Sequence, residues 1–428
     1  MPSDPLLRSE PSDPVLELYR DLHRHPELSG QESRTAARLA AELARRRVDV
    51  REGIGGTGVV GMLRNGEGPT VLLRADIDGL PIRELTGVPY ASTVSGVDRA
   101  GVTVPVMHAC GHDLHAAALI GAVDVLQARS AEWAGTVAIV FQPAEETGEG
   151  ALAMIADGLS DIVGTPAVCL GQHVSPVPAG VVVTAAGTYG AASDNFRIRF
   201  HGVGGHASTP EAAVDPIVAA AATVMRLQTV ISRETGAHEP AVLTVSSVHA
   251  GQAENAIPDE AVLTVNLRSF NPSTRQRLIA SLHRVVDAEA AAAGMTKRPD
   301  VERISGAPLL VNDPEATRST LGAIGEAGLD AHIVAQPMTG SEDFGVLGEA
   351  LGCPSVFWHW GGTDPGRYSS NDLVTLMTEA RFPAHIPMNH SPEYLPDLEW
   401  ALPAGIRSMT AAALHWLNTD HALPTEGP

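Results

Sequence analysis

Two rhythms of apolar and polar positions run along the 428-residue chain. Through roughly the first 190 residues, helical and strand patterns alternate. Asp13 followed by Pro14 has the chemistry of a helix start: a capping side chain, then a residue whose fixed φ suits the first turn. Ser29 and Glu32 have the spacing of a capping box, and Leu39 and Leu43 beyond them fall on one helical face. Thr70–Ala75 and Thr136–Phe141 are short, almost unbroken apolar runs rich in β-branched residues. Such runs suit strands buried on both faces of a parallel sheet covered by helices. Carboxylates follow each run, Asp76 and Asp78 after the first, Glu145 and Glu146 after the second. In open α/β sheets, sites form outside the carboxyl ends of the strands, so these acids stand where chemistry is expected.

Near residue 190 the rhythm changes. Asn195–Phe200 alternates, with Phe196, Ile198 and Phe200 on one face, as in a half-exposed strand. Asp215-Pro216 opens a helix, and strand patterns follow at Ala241–Val248 and Ala261–Ser269. Asn271-Pro272 opens a second helix that Gly294 ends, and a last strand pattern runs over Thr296–Ile304. This β-α-β-β-α-β order is the split ferredoxin-like unit. Asp313-Pro314 then restarts helix–strand alternation. The expected fold class is α/β: a discontinuous domain with a mainly parallel sheet, residues 1–189 and 306–428, interrupted by a ferredoxin-like α+β domain at 190–305.

Composition narrows the function. With 44% apolar and 18% charged residues the chain reads as a globular enzyme rather than a disordered one. Its net charge of −21, with no basic run longer than Arg45-Arg46-Arg47, argues against a nucleic-acid partner. An anionic small substrate then needs a locally positive site, which bound metal ions supply. Residues 162–193 hold no charged side chain, yet Pro166, Pro176, Pro178 and His173 make them a poor membrane span. Met1–Pro14 is polar and proline-rich, unlike a signal peptide. Three cysteines form no disulfide framework and suit a reducing compartment. A cytoplasmic protein with no membrane partner is expected.

Cys110 and His112 lie two apart around Gly111, whose backbone freedom lets both side chains converge. Glu145-Glu146 follows Gln142-Pro143-Ala144, His173 ends Gly171-Gln172-His173 after a short apolar strand, and His390 lies in Asn389-His390-Ser391-Pro392. Singly, each has a commoner structural explanation: a satisfied core histidine, a solvated acidic surface, a small buried thiol. Together, sulfur, nitrogen and oxygen donors from distant segments look like a catalytic metal site, since structural zinc prefers close cysteine pairs. Adjacent glutamates also divide the labour. One ligates; its neighbour takes a proton from a water that a metal has acidified to a pKa of about 7, then passes it to the leaving amine.

The ordered set of motifs resembles the aminoacylase/carboxypeptidase-type metallo-amidohydrolases, in the branch of hippurate hydrolases and auxin-conjugate amidohydrolases. The resemblance runs from Asp21-Leu22-His23-Arg24-His25-Pro26-Glu27 to Asn389-His390-Ser391-Pro392. Between them lie Arg74-Ala75-Asp76-Ile77-Asp78-Gly79-Leu80-Pro81, His108 to His115, Gln142 to Glu146, Gly205-His206-Ala207, Asn255 to Asp259 and Gly340 to Phe344. It implies a two-metal amidohydrolase that deacylates N-acyl amino acids. Cys110, His112, Glu146, His173 and His390 would be the ligands, Glu145 the general base and acid, and Asp78 a group steadying a ligand. The inserted domain would be a lid and dimer surface whose His206 polarises the substrate carbonyl, often across the dimer, with Asn255 and Arg268 near the substrate's polar end. Two divalent ions per subunit are implied, zinc foremost, with manganese, cobalt or nickel also compatible; a homodimer or homotetramer is expected.

Three features leave alternatives standing. Glu211 stands where relatives often carry a second histidine, which puts the polarity of the preferred substrate in question. Gly202-Val203-Gly204-Gly205-His206-Ala207 fits a dinucleotide-binding signature, although Pro210 interrupts any helix starting there. Cys110 also fits a cysteine nucleophile, a reading that leaves Glu145, Glu146, His173 and His390 without roles. A non-enzymatic metal scaffold would keep the ligands but has no use for Glu145.

Overall fold

A computed structural model describes residues 13–379 and 381–418. The polar N-terminal segment therefore lies outside the described residues up to position 12. The chain forms two compact units, one of residues 1–187, 311–336 and 343–428, the other of 188–310 and 337–342.

The first unit is built on an eight-stranded sheet. Its strands run in the order Asp49–Ile54, Gly58–Asn65, Gly135–Gln142, Thr70–Asp76, Val168–Pro178, Ser355–Thr363, Val181–Thr184, Asp330–Ile333. The four central strands are parallel to one another, and antiparallel pairings flank them. As their apolar runs require, Thr70–Asp76 and Gly135–Gln142 are buried almost throughout. The helix His112–Ala128 is apolar nearly all round and buried, packed against Leu398–Asn418. The sites follow the carboxyl ends of these central strands.

Two expectations fail here, and the causes are visible. Ser29 and Glu32 make no capping box for the helix Ser33–Arg45, which has no side-chain cap from Glu32. Ser29 Oγ instead donates to Asp78 Oδ2 at 2.7 Å, and Glu32 accepts from Gly30, Thr57 and Ala144. The helix end is served by Glu27, whose carboxylate accepts the N–H groups of Arg34 and Thr35 at 3.0 and 2.8 Å. His173, expected after a short strand, lies within the eleven-residue strand Val168–Pro178, opposite His359 of Ser355–Thr363.

The second unit is a four-stranded antiparallel sheet in the order Ala241–Ala250, Glu260–Ser269, Ala192–His201, Asp300–Ala307. Its helices Pro216–Glu234 and Pro272–Ala292 are capped as their sequences foretell, Asp215 accepting from Ile217 N and Asn271 from Thr274 N. Phe196, Ile198 and Phe200 share one core with both helices. The last strand begins at Asp300 rather than near Thr296. Before it, exposed Arg298 binds Asp287 of the preceding helix by two hydrogen bonds of 2.9 and 2.6 Å.

Candidate metal centre

Asp78, just past the strand Thr70–Asp76, is buried and organises its surroundings. Its Oδ1 lies 3.2 Å from His112 Nδ1 and accepts Glu145 N–H at 3.2 Å; its Oδ2 accepts Glu146 N–H at 3.1 Å. One carboxylate thus fixes the orientation of an imidazole and the backbone of the glutamate pair. Burial alone would raise the Asp78 carboxyl, but hydrogen bonds from His112 and Ser29 and the His112 charge outweigh it and hold it below the usual range.

Cys110 and His112 flank Gly111, which caps the buried helix at φ +89°. A Cβ there would sit 2.5 Å from Val174 Cγ1, so this turn needs glycine both for its φ and for room. Cys110 Sγ lies 3.3 Å from His173 Nε2 and 3.3 Å from His390 Nε2. His173 Nδ1 donates to the Val174 carbonyl at 2.6 Å, which leaves the Nε2 lone pair facing the sulfur. His390 itself has φ +67°, and its N–H donates to Ala109 O at 2.8 Å. Asn389 Nδ2 donates to the carbonyls of Cys110 and Val174 at 3.1 and 3.3 Å, tying the His390 loop to both neighbouring segments.

The ligand atoms of Cys110, His112 and Glu146 lie within 4.8 Å of one another. His112 Nε2 and Glu146 Oε1, both buried, are 3.9 Å apart and make no well-formed hydrogen bond among the described residues, although Asp76 Oδ2 lies 3.5 Å from the first. His390 Nε2 is 3.3 Å from the same Glu146 oxygen. An orphaned buried polar atom costs about 1–3 kcal/mol, and a cation shared between such atoms removes that cost. Charge points the same way. Burial pulls the His112 imidazole down, yet Asp76 and Asp78 push it up to about 10. Burial, then Glu146 and Glu145, drive the Cys110 thiol well up. His173 is held well below its ordinary value by burial and by His115 and His359, so its lone pair is available. A cluster that must protonate one histidine and its thiol is short of positive charge. Divalent ions supply that charge and release both protons, and the mixed sulfur, nitrogen and oxygen donors fit them.

A second group joins buried Asp76, His112 and His115 with half-buried His173. Both nitrogens of His115 are committed: Nδ1 to Asp76 Oδ1, and Nε2 as acceptor of Val174 N–H at 2.9 Å. It is a support, not a free donor. Behind it, fully buried Arg74 binds Asp76, Gln142 and Asp343 at 2.9, 2.9 and 3.3 Å. His115 was not singled out from the sequence, although its i+3 spacing from His112 places it beside that residue on the helix.

His206, Asn255 and Arg268 lie in the second unit. His206 pairs with Ala256 across a two-residue ladder, and Ala207 N–H donates to Asn255 O at 3.0 Å, so these two residues are neighbours. Ser208 closes against His206 Nδ1 with both its backbone nitrogen at 3.1 Å and its Oγ at 2.6 Å, and the histidine is exposed. Arg268 Nη1 binds Thr339 O at 2.7 Å and Ser341 Oγ at 3.2 Å. Glu211 is exposed in the short turn Pro210–Ala212, and no helix begins before Pro216. The dinucleotide reading, which needs a helix directly after the glycines, is therefore wrong.

Residues 72–374 match the family model of peptidase family M20/M25/M40. The chain is 35% identical over 369 residues to an N-acetylcysteine deacetylase of Bacillus subtilis, covering 86% of this chain and 92% of that protein. It is 32% identical over 414 residues to the IAA-amino acid hydrolase ILR1-like 4 of Arabidopsis thaliana, covering 96% and 87%. Among solved structures it is similar to a putative aminohydrolase of methicillin-resistant Staphylococcus aureus, with TM-score 0.79, 30% identity and coverage of 94% and 96%. A dinuclear metal-binding M20 peptidase of Bacillus subtilis gives TM-score 0.73 at 30% identity, covering 95% and 98%. With a family model spanning most of its length and relatives aligned nearly end to end, the chain belongs to peptidase family M20/M25/M40, in its amidohydrolase and aminoacylase branch.

Proposed function

We propose that the protein hydrolyses the amide bond of N-acyl amino acids, giving a carboxylate and the free amino acid. The observation that carries this reading is the glutamate pair held by Asp78 beside a mixed set of sulfur, nitrogen and oxygen donors. The names of the relatives, a deacetylase of N-acetylcysteine and a hydrolase of an auxin conjugate, support an N-acyl amino acid as substrate. Two divalent ions, zinc foremost, would be held by Cys110, His112, Glu146, His173 and His390. Bound there, they supply Lewis acidity and bring the pKa of water toward about 7. Glu145 takes the proton from the attacking water and delivers it to the departing nitrogen, so that the C–O bond forms as the C–N bond breaks. Asp78 keeps His112 and the glutamate backbone in register. His206 is assigned the stabilisation of charge on the substrate carbonyl oxygen, for which an exposed imidazole N–H is suited. Asn255 and Arg268 are assigned to the substrate's polar end. We further propose a cytoplasmic homodimer or homotetramer.

The division between the two glutamates is tested by metal analysis and turnover after reconstitution. Glu145→Gln should keep its metal and lose at least the 10²- to 10⁴-fold that general acid–base catalysis typically contributes. Glu146→Gln should lose metal as well. Equal loading of both variants with full activity in Glu145→Gln removes the assignment. The 3.3 Å contacts of Cys110 with His173 and His390 also suit a cysteine nucleophile. Inactivation by a chelator that metal addition reverses separates the two, since only the metal enzyme recovers.

A further inference from the structure

The turn that aims the glutamate pair is made at Ala144, which sits at φ +50°. A residue with a side chain is strained in this left-handed region and stays there only where its surroundings over-determine it. Three successive amides show what does so. Ala144 N–H donates to Glu32 Oε1 at 2.9 Å, Glu145 N–H to Asp78 Oδ1 at 3.2 Å, and Glu146 N–H to Asp78 Oδ2 at 3.1 Å. Two buried carboxylates from distant segments grip the backbone of Ala144-Glu145-Glu146.

Glu32 serves this turn rather than the first turn of its own helix. It is fully buried and does not cap the helix that starts beside it. Its other contacts are Gly30 N–H at 2.7 Å on Oε1 and the Thr57 hydroxyl at 2.5 Å on Oε2. Three donors converge on one side chain, and a carboxylate is the group that offers two acceptor atoms and no competing donor. Without it the buried Ala144 N–H has no acceptor and the turn loses what holds its φ positive.

We propose that Glu32 is a positioning residue for Glu145: by fixing the left-handed turn at Ala144, it sets where the base's carboxylate stands relative to the scissile amide. The inference rests on Glu145 being the base. The rival is a purely structural Glu32 that ties the helix start and the Thr57 turn to the 143–150 loop.

The test uses the full, metal-reconstituted chain with a hydrolysed N-acyl amino acid, measuring kcat, KM, metal content and Tm for Glu32→Ala, Glu32→Gln, Glu32→Asp and Glu32→Ala/Ala144→Gly. Glu32→Ala should keep its ions and its KM while kcat falls by about 10²-fold, the scale of a displacement near 1 Å. Glu32→Gln keeps an acceptor for Ala144 N–H and should recover most of the rate. In the double variant, glycine adopts the turn without strain, so part of kcat should return although no hydrogen bond is added. Should Glu32→Ala fail to fold, Glu32→Asp decides, since it keeps the charge but withdraws the carboxylate: a lower kcat at unchanged KM and metal content is expected. A lowered Tm with unchanged kcat in the variants overturns the proposal, as does loss of ions in proportion to rate, which would place the effect on Glu146. Glu145→Gln is run alongside. Full activity there fails the base assignment itself, whereas a dead, metal-loaded Glu145→Gln beside a normal kcat for the Glu32 variants fails this inference alone.

Discussion

The three sulfurs of this chain sit in surroundings that call for different chemistry. Cys110 faces two imidazole Nε2 atoms at 3.3 Å, with Glu146 beside it. Cys169 and Cys353 face each other, Sγ to Sγ at 3.4 Å, where the strands Val168–Pro178 and Ser355–Thr363 begin. Replacing Cys110 by Ser substitutes a harder, poorly ionised donor for a thiolate. Metal affinity and turnover should fall by at least the 10- to 100-fold that loss of an outer-sphere partner of a ligand typically costs. Cys169→Ser and Cys353→Ser should leave kcat near its parent value. Metal titration of the three variants checks this, and a Cys110→Ser protein with parental affinity would remove the sulfur from the ligand set.

At the scale of single elements, the strand Thr70–Asp76 does two jobs with alternate residues. Its apolar side chains build the core, while Arg74 and Asp76 form a buried ionic layer with Gln142 and Asp343 behind the proposed ligands. Removing one member of a buried ion pair leaves an uncompensated charge and typically costs about 3–5 kcal/mol. Arg74→Met should therefore lower unfolding free energy by that order in urea titrations, whereas a loss below about 1 kcal/mol would mean that Asp76 and Asp343 find other partners. The same strand shows what can be read without coordinates. An apolar run ending in Asp76 and Asp78 marks a buried strand leading to a site, and Gln142 to Glu146 repeats the signal. Pairs such as Asp215-Pro216 and Asn271-Pro272 mark helix starts because the cap is local chemistry. Ser29 and Glu32 mislead for the opposite reason: their spacing is local, but the partners that claim them, Asp78, Thr57 and Ala144, arrive from elsewhere in the fold. His115 stays hidden likewise, since nothing in its neighbourhood tells that both ring nitrogens are spoken for. The ligand set itself was legible as a group of donor types, but the closeness of Cys110 to His390, 280 residues away, comes only from the folded chain.

For the whole molecule, stability should carry a signature of a buried histidine outside the proposed ligand set, His23. His23 is enclosed with Asp113 at 2.7 Å and Glu84 at 3.0 Å. Burial opposes its protonation, but Asp113 and then Glu84 raise its pKa from 6.5 to about 9. A group whose folded pKa is raised stabilises fully below its unfolded value and loses that contribution as pH climbs through the folded one. The window here is therefore about pH 6.5 to 9, and a shift of this size corresponds to roughly 3 kcal/mol. The Tm of the metal-loaded protein should fall across that window, and His23→Gln should be less stable at pH 6 with a flatter profile. Parallel profiles for the two proteins would assign the pH dependence to other groups.

The residues 188–310 stand between the two sequence halves of the first unit, and the central strands Val168–Pro178 and Ser355–Thr363 are neighbours in its sheet. On the ribosome the chain appears in sequence order, so Cys110, His112, Glu146 and His173 are made long before His390, more than 200 residues later. At synthesis rates of about 5–20 residues per second this interval lasts on the order of 10–40 s. During it the four strands of the second unit, all within residues 192–307, can pair, while the first unit lacks the strand Ser355–Thr363 and the loop that carries His390. With the ligands proposed above, a nascent chain would present a thiol, imidazoles and a carboxylate as an incomplete chelate in a cell full of competing ions. On the proposed ligand set, the ion captured first need not be the one retained, because His390, the final proposed donor to emerge, completes the set.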